Sequence, residues 1–358
     1  MVRPTYVEID LDAIAHNVKA FKTLIQPSQV CTVVKADAYG HGDVPVATAA
    51  LEAGADLLAV ALVEEGARLR EAGIDAPILL LSEPEVSAAG EVGEWDLTPT
   101  VYNLSFVEAL AATGTSHDLH LKVDTGMHRV GAPPERVDKL AAAVDSAPNL
   151  ALAAMWTHFS VADEDPDYTR AQIELFDTVT SPHEPPATHL ANTAGAVLFP
   201  EARRDLCRIG LGTYGLHPCP ETVSEIDLRP AMRLVTHVSH TQRVTAGERP
   251  SYGRVKGLGA DANVVTAPIG YADGFPRSLT RDGFALIGGR RYPLAGMVTM
   301  DQIVIDVGDD EHGVGEEVVL LGPQGDDEIT ADEWARELGT ISYEVVCSIG
   351  PRVPRRYQ

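Results

Sequence analysis

The sequence contains only six lysines, so a reaction that needs a lysine amine has few candidates. Lys35 stands out because it follows an apolar, β-branched run and opens the polar segment KADAYGHG. A second polar segment, KVDTGMHR, begins at Lys122 and ends at Arg129. If Lys35 is buried at the end of a strand, its pKa is lowered and its amine becomes a better nucleophile or base.

Polar and glycine-rich residues also follow three later apolar runs, at His158, Asn192–Gly195 and Arg208–Leu211. The last two segments suit a phosphate, since Thr193 offers a hydroxyl and glycines allow close backbone approach. Taken singly, Lys35 could be a solvated strand end, His158 a core histidine and Arg208 an ion-pair partner. Placed together on one face, a lysine and a phosphate cradle without a Cys/His metal cluster indicate pyridoxal phosphate.

The elements that must position these residues alternate between short β-rich runs and helical patterns from residue 30 to about 215. The predicted strands are Thr32–Lys35, Leu57–Ala61, Ile78–Leu81, Leu97–Val101, Leu119–Val123, Ala153–His158, Thr188–Leu190 and Leu206–Ile209. Amphipathic stretches such as Val44–Ala53 and Tyr168–Thr180 separate them. Eight such alternations predict an α/β fold, a (β/α)8 TIM barrel, whose functional residues lie at the C-terminal ends of the strands.

The pattern changes after about residue 228, where strand-like runs are separated by Gly- and Asp-rich turns. The runs Leu234–Val244, Ala262–Ile269, Phe284–Gly288, Gln302–Val307 and Glu317–Leu321 predict a C-terminal, mostly antiparallel β domain. We expect a cofactor-binding barrel over residues 10–228. Residues 1–9, together with 229–358, should form the β domain.

Composition narrows the class of protein. A formal charge of −24 argues against nucleic acid and anionic membranes as partners. No apolar run approaches the roughly 20 residues that a membrane helix requires. The N-terminus lacks the features of a signal peptide, and the four cysteines have no paired spacing, so we expect reduced thiols in a cytoplasmic protein.

The segment VVKADAYGHG resembles the cofactor-attachment motif of alanine racemases. Further blocks similar to that family's follow in the same order: DTGMHRVG, WTHFSVADE, HLANTAG, CRIGLGTYG, APIGYADGFPR, MVTMDQ and SYEVVCSIGPRVPR. The resemblance covers essentially the whole chain. It implies a barrel, a C-terminal β domain, pyridoxal 5′-phosphate as cofactor, and a homodimer whose active sites are shared between subunits.

The resemblance also implies roles for individual residues. Lys35 is the Schiff-base lysine and one of two catalytic bases, and Tyr271 of a partner subunit is the other. The cofactor-binding positions are Tyr39, His158, Asn192, Thr193, Arg208, Gly210, Leu211 and Tyr343, with Arg208 facing the pyridine nitrogen and His158 supporting it. The substrate positions are Arg129, Met300 and Asp301, and Lys122 matches a lysine that is often N-carboxylated.

Three departures from the family pattern are visible: His128 replaces a common glycine, Thr193 replaces a serine, and the segment GMVTMDQ lacks the arginine and cysteine often seen before MDQ. The implied reaction is the interconversion of L-alanine and D-alanine, which supplies D-alanine for peptidoglycan. Racemases of serine, lysine or a broad range of amino acids are the nearest alternatives. A decarboxylase of the same plan, or a cofactor-binding homeostasis protein, is a weaker one.

Overall fold

The computed structural model describes residues 3–358, and contacts along the chain divide them into two units. The barrel unit consists of Asp12–Ala38 and Gly42–Arg229. The β unit consists of residues 3–11, Tyr39–His41 and Pro230–Gln358. Tyr39–His41 therefore belong to the β unit, although they directly follow the barrel residues 35–38 in sequence.

The strands, in chain order, are β1 (Tyr6–Ile9), β2 (Gln29–Val33), β3 (Leu57–Val60), β4 (Ile78–Leu80), β5 (Thr100–Val101), β6 (His117–Lys122), β7 (Leu150–Trp156), β8 (Thr188–His189), β9 (Leu206–Ile209), β10 (Met232–His237), β11 (His240–Val244), β12 (Ala262–Ala267), β13 (Phe284–Ile287), β14 (Arg290–Pro293), β15 (Ile303–Gly308), β16 (Glu317–Gln324), β17 (Asp327–Ile329) and β18 (Arg355–Tyr357). The helices are α1 (Leu11–Leu24), α2 (Lys35–Gly40), α3 (Asp43–Glu52), α4 (Val63–Glu71), α5 (Ala89–Glu94), α6 (Leu104–Thr113), α7 (Val137–Asp145), α8 (Pro166–Thr180), α9 (Thr193–Leu198), α10 (Ala331–Leu338) and α11 (Ser342–Cys347).

The parallel strands of the barrel unit form two four-stranded sheets, in the orders β4–β3–β2–β9 and β5–β6–β7–β8. A parallel bridge between Leu79 and Thr98 joins β4 to the chain before β5. On the other side, the Arg208 N–H donates to the Ala191 carbonyl at 3.0 Å, so β9 adjoins the chain after β8. The eight strands close into a ring, and the predicted (β/α)8 barrel is confirmed.

The apolar residues of the barrel strands and helices explain how the two layers pack. Strands β3 (LLAV) and β4 (ILL) are apolar and almost wholly buried, as expected where both faces of a parallel sheet are covered. On α7 the buried side chains recur three or four residues apart, at Val137, Leu140, Ala141 and Val144. This spacing gives the helix one apolar face to pack on the strands.

The first barrel strand differs from its prediction. The predicted strand Thr32–Lys35 is wrong in its second half, because β2 ends at Val33 and α2 begins at Lys35. The Val34 N–H still donates to the Ala59 carbonyl at 2.9 Å, so Val34 is the last residue held to the neighbouring strand. Lys35 is therefore the first residue beyond the strand ladder.

The β unit contains a sheet in the order β14–β13–β16–β10–β1–β18, with β17 on β16, and a three-stranded sheet β11–β12–β15. Only β1 and β18 pair in parallel among the described strands of this unit, so the predicted mostly antiparallel domain is confirmed. The prediction of a single strand over Leu234–Val244 is wrong, because β10 ends at His237 and β11 begins at His240. Between them, the Val238 N–H donates to the Glu316 carbonyl and the Ser239 N–H to the Thr266 carbonyl. The chain passes from one sheet to the other at this point.

Among residues 3–358, no helix is long and apolar enough to cross a membrane.

Candidate active site

The segment after β2 turns in the left-handed sense. Ala36, Asp37, Ala38 and Tyr39 have φ angles of 53°, 52°, 51° and 54°, and Gly40 has a φ of 79°. For residues with a Cβ this conformation costs roughly 1–2 kcal/mol each. The chain therefore holds a strained turn directly after Lys35, which is itself half-buried at the C-terminal end of the barrel strands.

Lys122, at the end of β6, is the buried lysine of this site, with 4% of its surface exposed. Burial lowers its pKa from 10.5 to about 7. The positive charges of Arg208, Arg129 and Lys35 act in the same direction, whereas Asp124 opposes them. Arg208, Arg129 and Lys35 thus lie close enough to Lys122 to disfavour its positive charge at this end of the barrel.

Arg208, on β9, is 2% exposed and is held by neutral groups. Its guanidinium donates to the carbonyls of Thr157 at 2.8 Å, Leu190 at 2.9 Å and His189 at 3.1 Å. Burial lowers its pKa to about 10. Arg208 is therefore a largely uncompensated buried cation, and an anionic or electron-rich ligand atom would be a favourable partner.

Two histidines accept hydrogen bonds from Arg208. Its Nη1 lies 2.8 Å from His189 Nδ1, and its Nη2 lies 3.2 Å from His158 Nδ1. A guanidinium can only donate, so both Nδ1 atoms accept and each neutral ring carries its proton on Nε2. His189 Nε2 then donates to His120 Nδ1 at 3.0 Å. Burial and the charge of Arg208 lower the pKa of all three histidines, which is consistent with neutral rings.

The Trp156 ring packs beside the cationic groups of Lys122 and Arg208. Lys122 Nζ lies 4.2 Å from the centroid of the Trp156 ring, and the Arg208 guanidinium carbon lies 4.5 Å from it. His189 stacks on the same ring at a centroid distance of 5.2 Å. The ring offsets part of the cost of burying two cations through its π-face.

The loops after β8 and β9 meet at Thr193. Its Oγ1 accepts from the N–H of Gly210 at 3.2 Å and of Gly212 at 3.4 Å, which leaves the hydroxyl proton to donate. Asn192 caps α9, and its Oδ1 accepts from Gly195 N–H at 2.9 Å. The Gly195 N–H is thus occupied by the Asn192 side chain. Gly210 and Leu211 are buried beside Thr193.

A different set of predicted residues lies in the β unit. Tyr271, Met300 and Asp301 line one cavity of about 890 Å³, and Tyr271 and Met300 are 43% and 52% exposed. The Tyr271 N–H donates to the Thr299 carbonyl at 3.0 Å. Gly270 permits this approach, because a Cβ there would lie 2.2 Å from the Thr299 oxygen. The motif GYADG therefore holds Tyr271 against the Met300 loop.

Tyr39 and Tyr343 are also brought together in the β unit, with ring centroids 6.1 Å apart. Tyr39 is buried, and burial together with Tyr343 raises the pKa of its hydroxyl. Gly40, the next residue, has no room for a Cβ, which would lie 2.6 Å from the Val346 oxygen. The Tyr39 hydroxyl is therefore neutral near pH 7, and its ring lies beside that of Tyr343.

Two family models match the chain: the alanine racemase N-terminal domain over residues 9–218 and the alanine racemase C-terminal domain over residues 231–357. The chain belongs to the alanine racemase family. The identification made from its motifs is thereby confirmed, as is the prediction that it is an isomerase of the alanine racemase type.

Relatives of this family match over nearly the full length. An alanine racemase of Frankia casuarinae is 43% identical over 98% of this chain and 95% of its own, and one of Symbiobacterium thermophilum is 42% identical over 99% and 97%. The crystal structure of alanine racemase from E. faecalis has a TM-score of 0.95 at 37% identity, covering 99% of this chain and 98% of that one. The alanine racemase of Bacillus anthracis with bound L-Ala-P has a TM-score of 0.94 at 37% identity, covering 100% and 96%.

Sequence reasoning missed His189, His120 and Trp156 as neighbours of Arg208. One signal was available, because Lys122 pairs with Trp156 and Trp156 with His189 across three parallel strands. Residues in register on neighbouring strands point to the same side of a sheet. A lone histidine or tryptophan in an apolar strand is most often a core residue, so residue type alone does not single these three out, and the signal appears only once the strand register is known.

Proposed function

We propose that the chain interconverts L-alanine and D-alanine, with pyridoxal 5′-phosphate held covalently on Lys35. The observation that carries this proposal is the cluster of Lys35, Lys122, Arg129 and Arg208 around the neutral His158. Four cations in one partly buried place call for anionic ligands. A phosphorylated cofactor and the carboxylate of an amino acid supply such charges.

The residues present fit this cofactor. Lys35 supplies an amine, Thr193 a hydroxyl with a proton to donate, and Arg208 a cation without a carboxylate partner among the described residues. We propose that Tyr39, Tyr343, Gly210 and Leu211 complete the phosphate site and that Asn192 also belongs to the cofactor site. The bound cofactor supplies an electron sink that makes the α-proton of the amino acid acidic.

Inversion at Cα requires that a proton leave one face and that a proton reach the other. We propose that Lys35 serves one face and Tyr271 of a second copy of the chain serves the other, in a homodimer. Arg129 would bind the substrate carboxylate, and the Met300–Asp301 loop of the second copy would close the substrate side. Fixing the carboxylate keeps Cα between the two bases.

Lys122 is proposed to be N-carboxylated. A carbamate forms when a neutral amine attacks carbon dioxide and releases one proton, and a pKa of about 7 leaves a substantial fraction of Lys122 neutral at pH 7. The product is an anion beside Arg129 and Arg208. It would replace a repelling cation with a partner that orients the Arg129 side chain.

The test compares two lysine variants. Lys35→Ala should abolish both D-alanine formation from L-alanine and the visible absorption of the lysine-bound cofactor. Lys139→Ala, which removes an exposed lysine from α7, is the matched control and should keep both. Unchanged cofactor absorption in Lys35→Ala would refute the assignment. Parallel assays with L-serine and L-lysine decide the substrate, since pocket contacts discriminate by only about 1–3 kcal/mol per methylene.

We also propose that the enzyme works in the cytoplasm and supplies D-alanine for peptidoglycan. This role follows from the family alone. A deletion strain that grows without added D-alanine and contains no other alanine racemase would contradict it.

A further inference from the structure

Glu65 lies in the first turn of α4 and is 8% exposed, so its carboxylate has to be satisfied by protein groups. Its Oε2 accepts from the N–H groups of Ala61 at 2.8 Å and Leu62 at 3.1 Å. These contacts are a helix cap, the ordinary role of a glutamate at the third helical position. They occupy one oxygen only.

The other oxygen serves a different purpose. Glu65 Oε1 accepts from the Ala36 N–H at 2.6 Å, a short bond to the first amide after Lys35. Hydrogen bonds to a charged acceptor are roughly twice as strong as those between neutral groups. One buried carboxylate thus ties the ends of β2 and β3 together at the point where the left-handed turn begins.

The turn needs such an anchor because Ala36 and the three residues after it have positive φ without being glycine. Its far end has another anchor, since Asp37 Oδ1 accepts from the Asp43 N–H at 3.0 Å and the Asp37 carbonyl from the Gly42 N–H at 2.9 Å. The near end is held by Glu65 and by the Ala38 N–H, which donates to the Val34 carbonyl at 2.9 Å.

We propose that Glu65 is a positioning residue for Lys35: its second carboxylate oxygen fixes the amide of residue 36 and so sets the direction of the Lys35 side chain at the barrel rim. This inference rests on the proposed function of Lys35 as attachment site and base. Glu65 itself touches neither cofactor nor substrate in this proposal. It acts through the backbone of the strained turn.

Glu65→Gln is the informative variant, because glutamine keeps the shape but has a single acceptor oxygen. If that oxygen retains the helix cap, the NH₂ group faces the Ala36 N–H and the bond is lost. Glu64→Gln is the matched control, since Glu64 is the exposed neighbour on the same helix turn. Both variants remove one negative charge.

The first measurement is hydrogen exchange in the purified holoenzyme, followed by mass spectrometry. In Glu65→Gln the peptide 35–42 should exchange at least about tenfold faster, whereas peptide 61–71 should be unchanged; tenfold corresponds to about 1.4 kcal/mol. Glu64→Gln should leave both peptides as in the wild type. Equal exchange of peptide 35–42 in wild type and Glu65→Gln, or equal acceleration of both peptides, overturns the proposal.

The second measurement separates positioning from a loss of folded protein. In the proposed two-base scheme we assign Lys35 to D-alanine and Tyr271 to L-alanine. A displaced Lys35 then slows proton removal from D-alanine, so Glu65→Gln should raise the α-deuterium isotope effect on D-alanine more than on L-alanine. A smaller active fraction leaves both isotope effects unchanged, and that result contradicts positioning. Failure of the proposed function appears differently: the wild type would form no D-alanine, while the exchange data would still report on the turn.

If Glu65→Gln alone does not fold, the double variant Glu65→Gln with Ala36→Gly decides the matter. Glycine adopts positive φ without the Cβ penalty, so it lowers the strain that Glu65 offsets. Recovery of a folded protein by Ala36→Gly supports the link between Glu65 and the turn. A double variant that is as poorly folded as the single one shows that Glu65 serves the barrel as a whole, and the proposal fails.

Discussion

Replacing Lys122 with methionine should stabilise the protein that lacks cofactor in bicarbonate-free buffer. Methionine has a similar length but no charge to bury. A lowering of the lysine pKa from 10.5 to about 7 corresponds to about 5 kcal/mol of unfavourable free energy in the charged form, at about 1.36 kcal/mol per tenfold change. The contact with the Trp156 ring offsets about 1–2 kcal/mol of this. The net gain for Lys122→Met is therefore about 3 kcal/mol.

The pH dependence follows from the sign of the shift. Below pH 7 the Lys122 amine is charged in both the folded and the unfolded state, so the cost is fully present. Between about pH 7 and 10.5 the unfolded state binds more protons, so the wild type gains stability as the pH rises. The advantage of Lys122→Met should therefore be greatest at pH 6 and nearly gone at pH 10.

The assay is denaturant unfolding of cofactor-free wild type and variant at several pH values, followed by tryptophan fluorescence. Both proteins carry Trp334→Phe, so that the remaining tryptophans, Trp95 and Trp156, lie in the barrel unit. Because a two-unit chain need not unfold in one step, the comparison uses the midpoint and slope of the transition that reports the barrel. A difference that is independent of pH, or a less stable variant at pH 6, would refute the reasoning. Added bicarbonate should stabilise only the wild type.

Three further outcomes are expected. His189→Asn should retain more activity than His189→Gln, because the asparagine oxygen replaces Nδ1 as acceptor for Arg208; equal losses would contradict this. His128→Gly should raise the free energy of unfolding by roughly 1 kcal/mol in denaturant titrations, since His128 has a φ of 55°; a decrease would mean that its ion pair with Asp124 dominates. Tyr271→Phe should slow α-deuterium exchange from L-alanine more than from D-alanine, and equal slowing would argue against separate bases.

The barrel and the polar segments that follow its strands could be predicted from the sequence because both depend on local patterns. Apolar runs of strand length located β2, β6 and β9, and the parallel arrangement then placed Lys35, Lys122 and Arg208 on one face. The His128 position also has a local explanation. Its left-handed backbone accounts for the glycine that is common there.

The left-handed turn could not be predicted, because the letters ADAY carry no glycine and favour an ordinary helix. Its conformation depends on contacts distant in sequence, such as the bond from Ala36 to Glu65. The hydrogen bond between Arg208 and His189 likewise depends on a contact between residues distant in sequence. Such contacts follow from which strands become neighbours, and residue types alone do not determine them.

The three residues Tyr39–His41 have a consequence for how this protein could be divided. They follow the lysine segment in sequence yet pack with the C-terminal part of the chain: Gly40 accepts a hydrogen bond from Arg355, and Tyr39 lies beside Tyr343. A gene fragment encoding only the barrel would carry this tripeptide without its packing partners. The two units are therefore not interchangeable modules, and exchanging the segment Pro230–Gln358 between relatives should succeed only when this tripeptide moves with it.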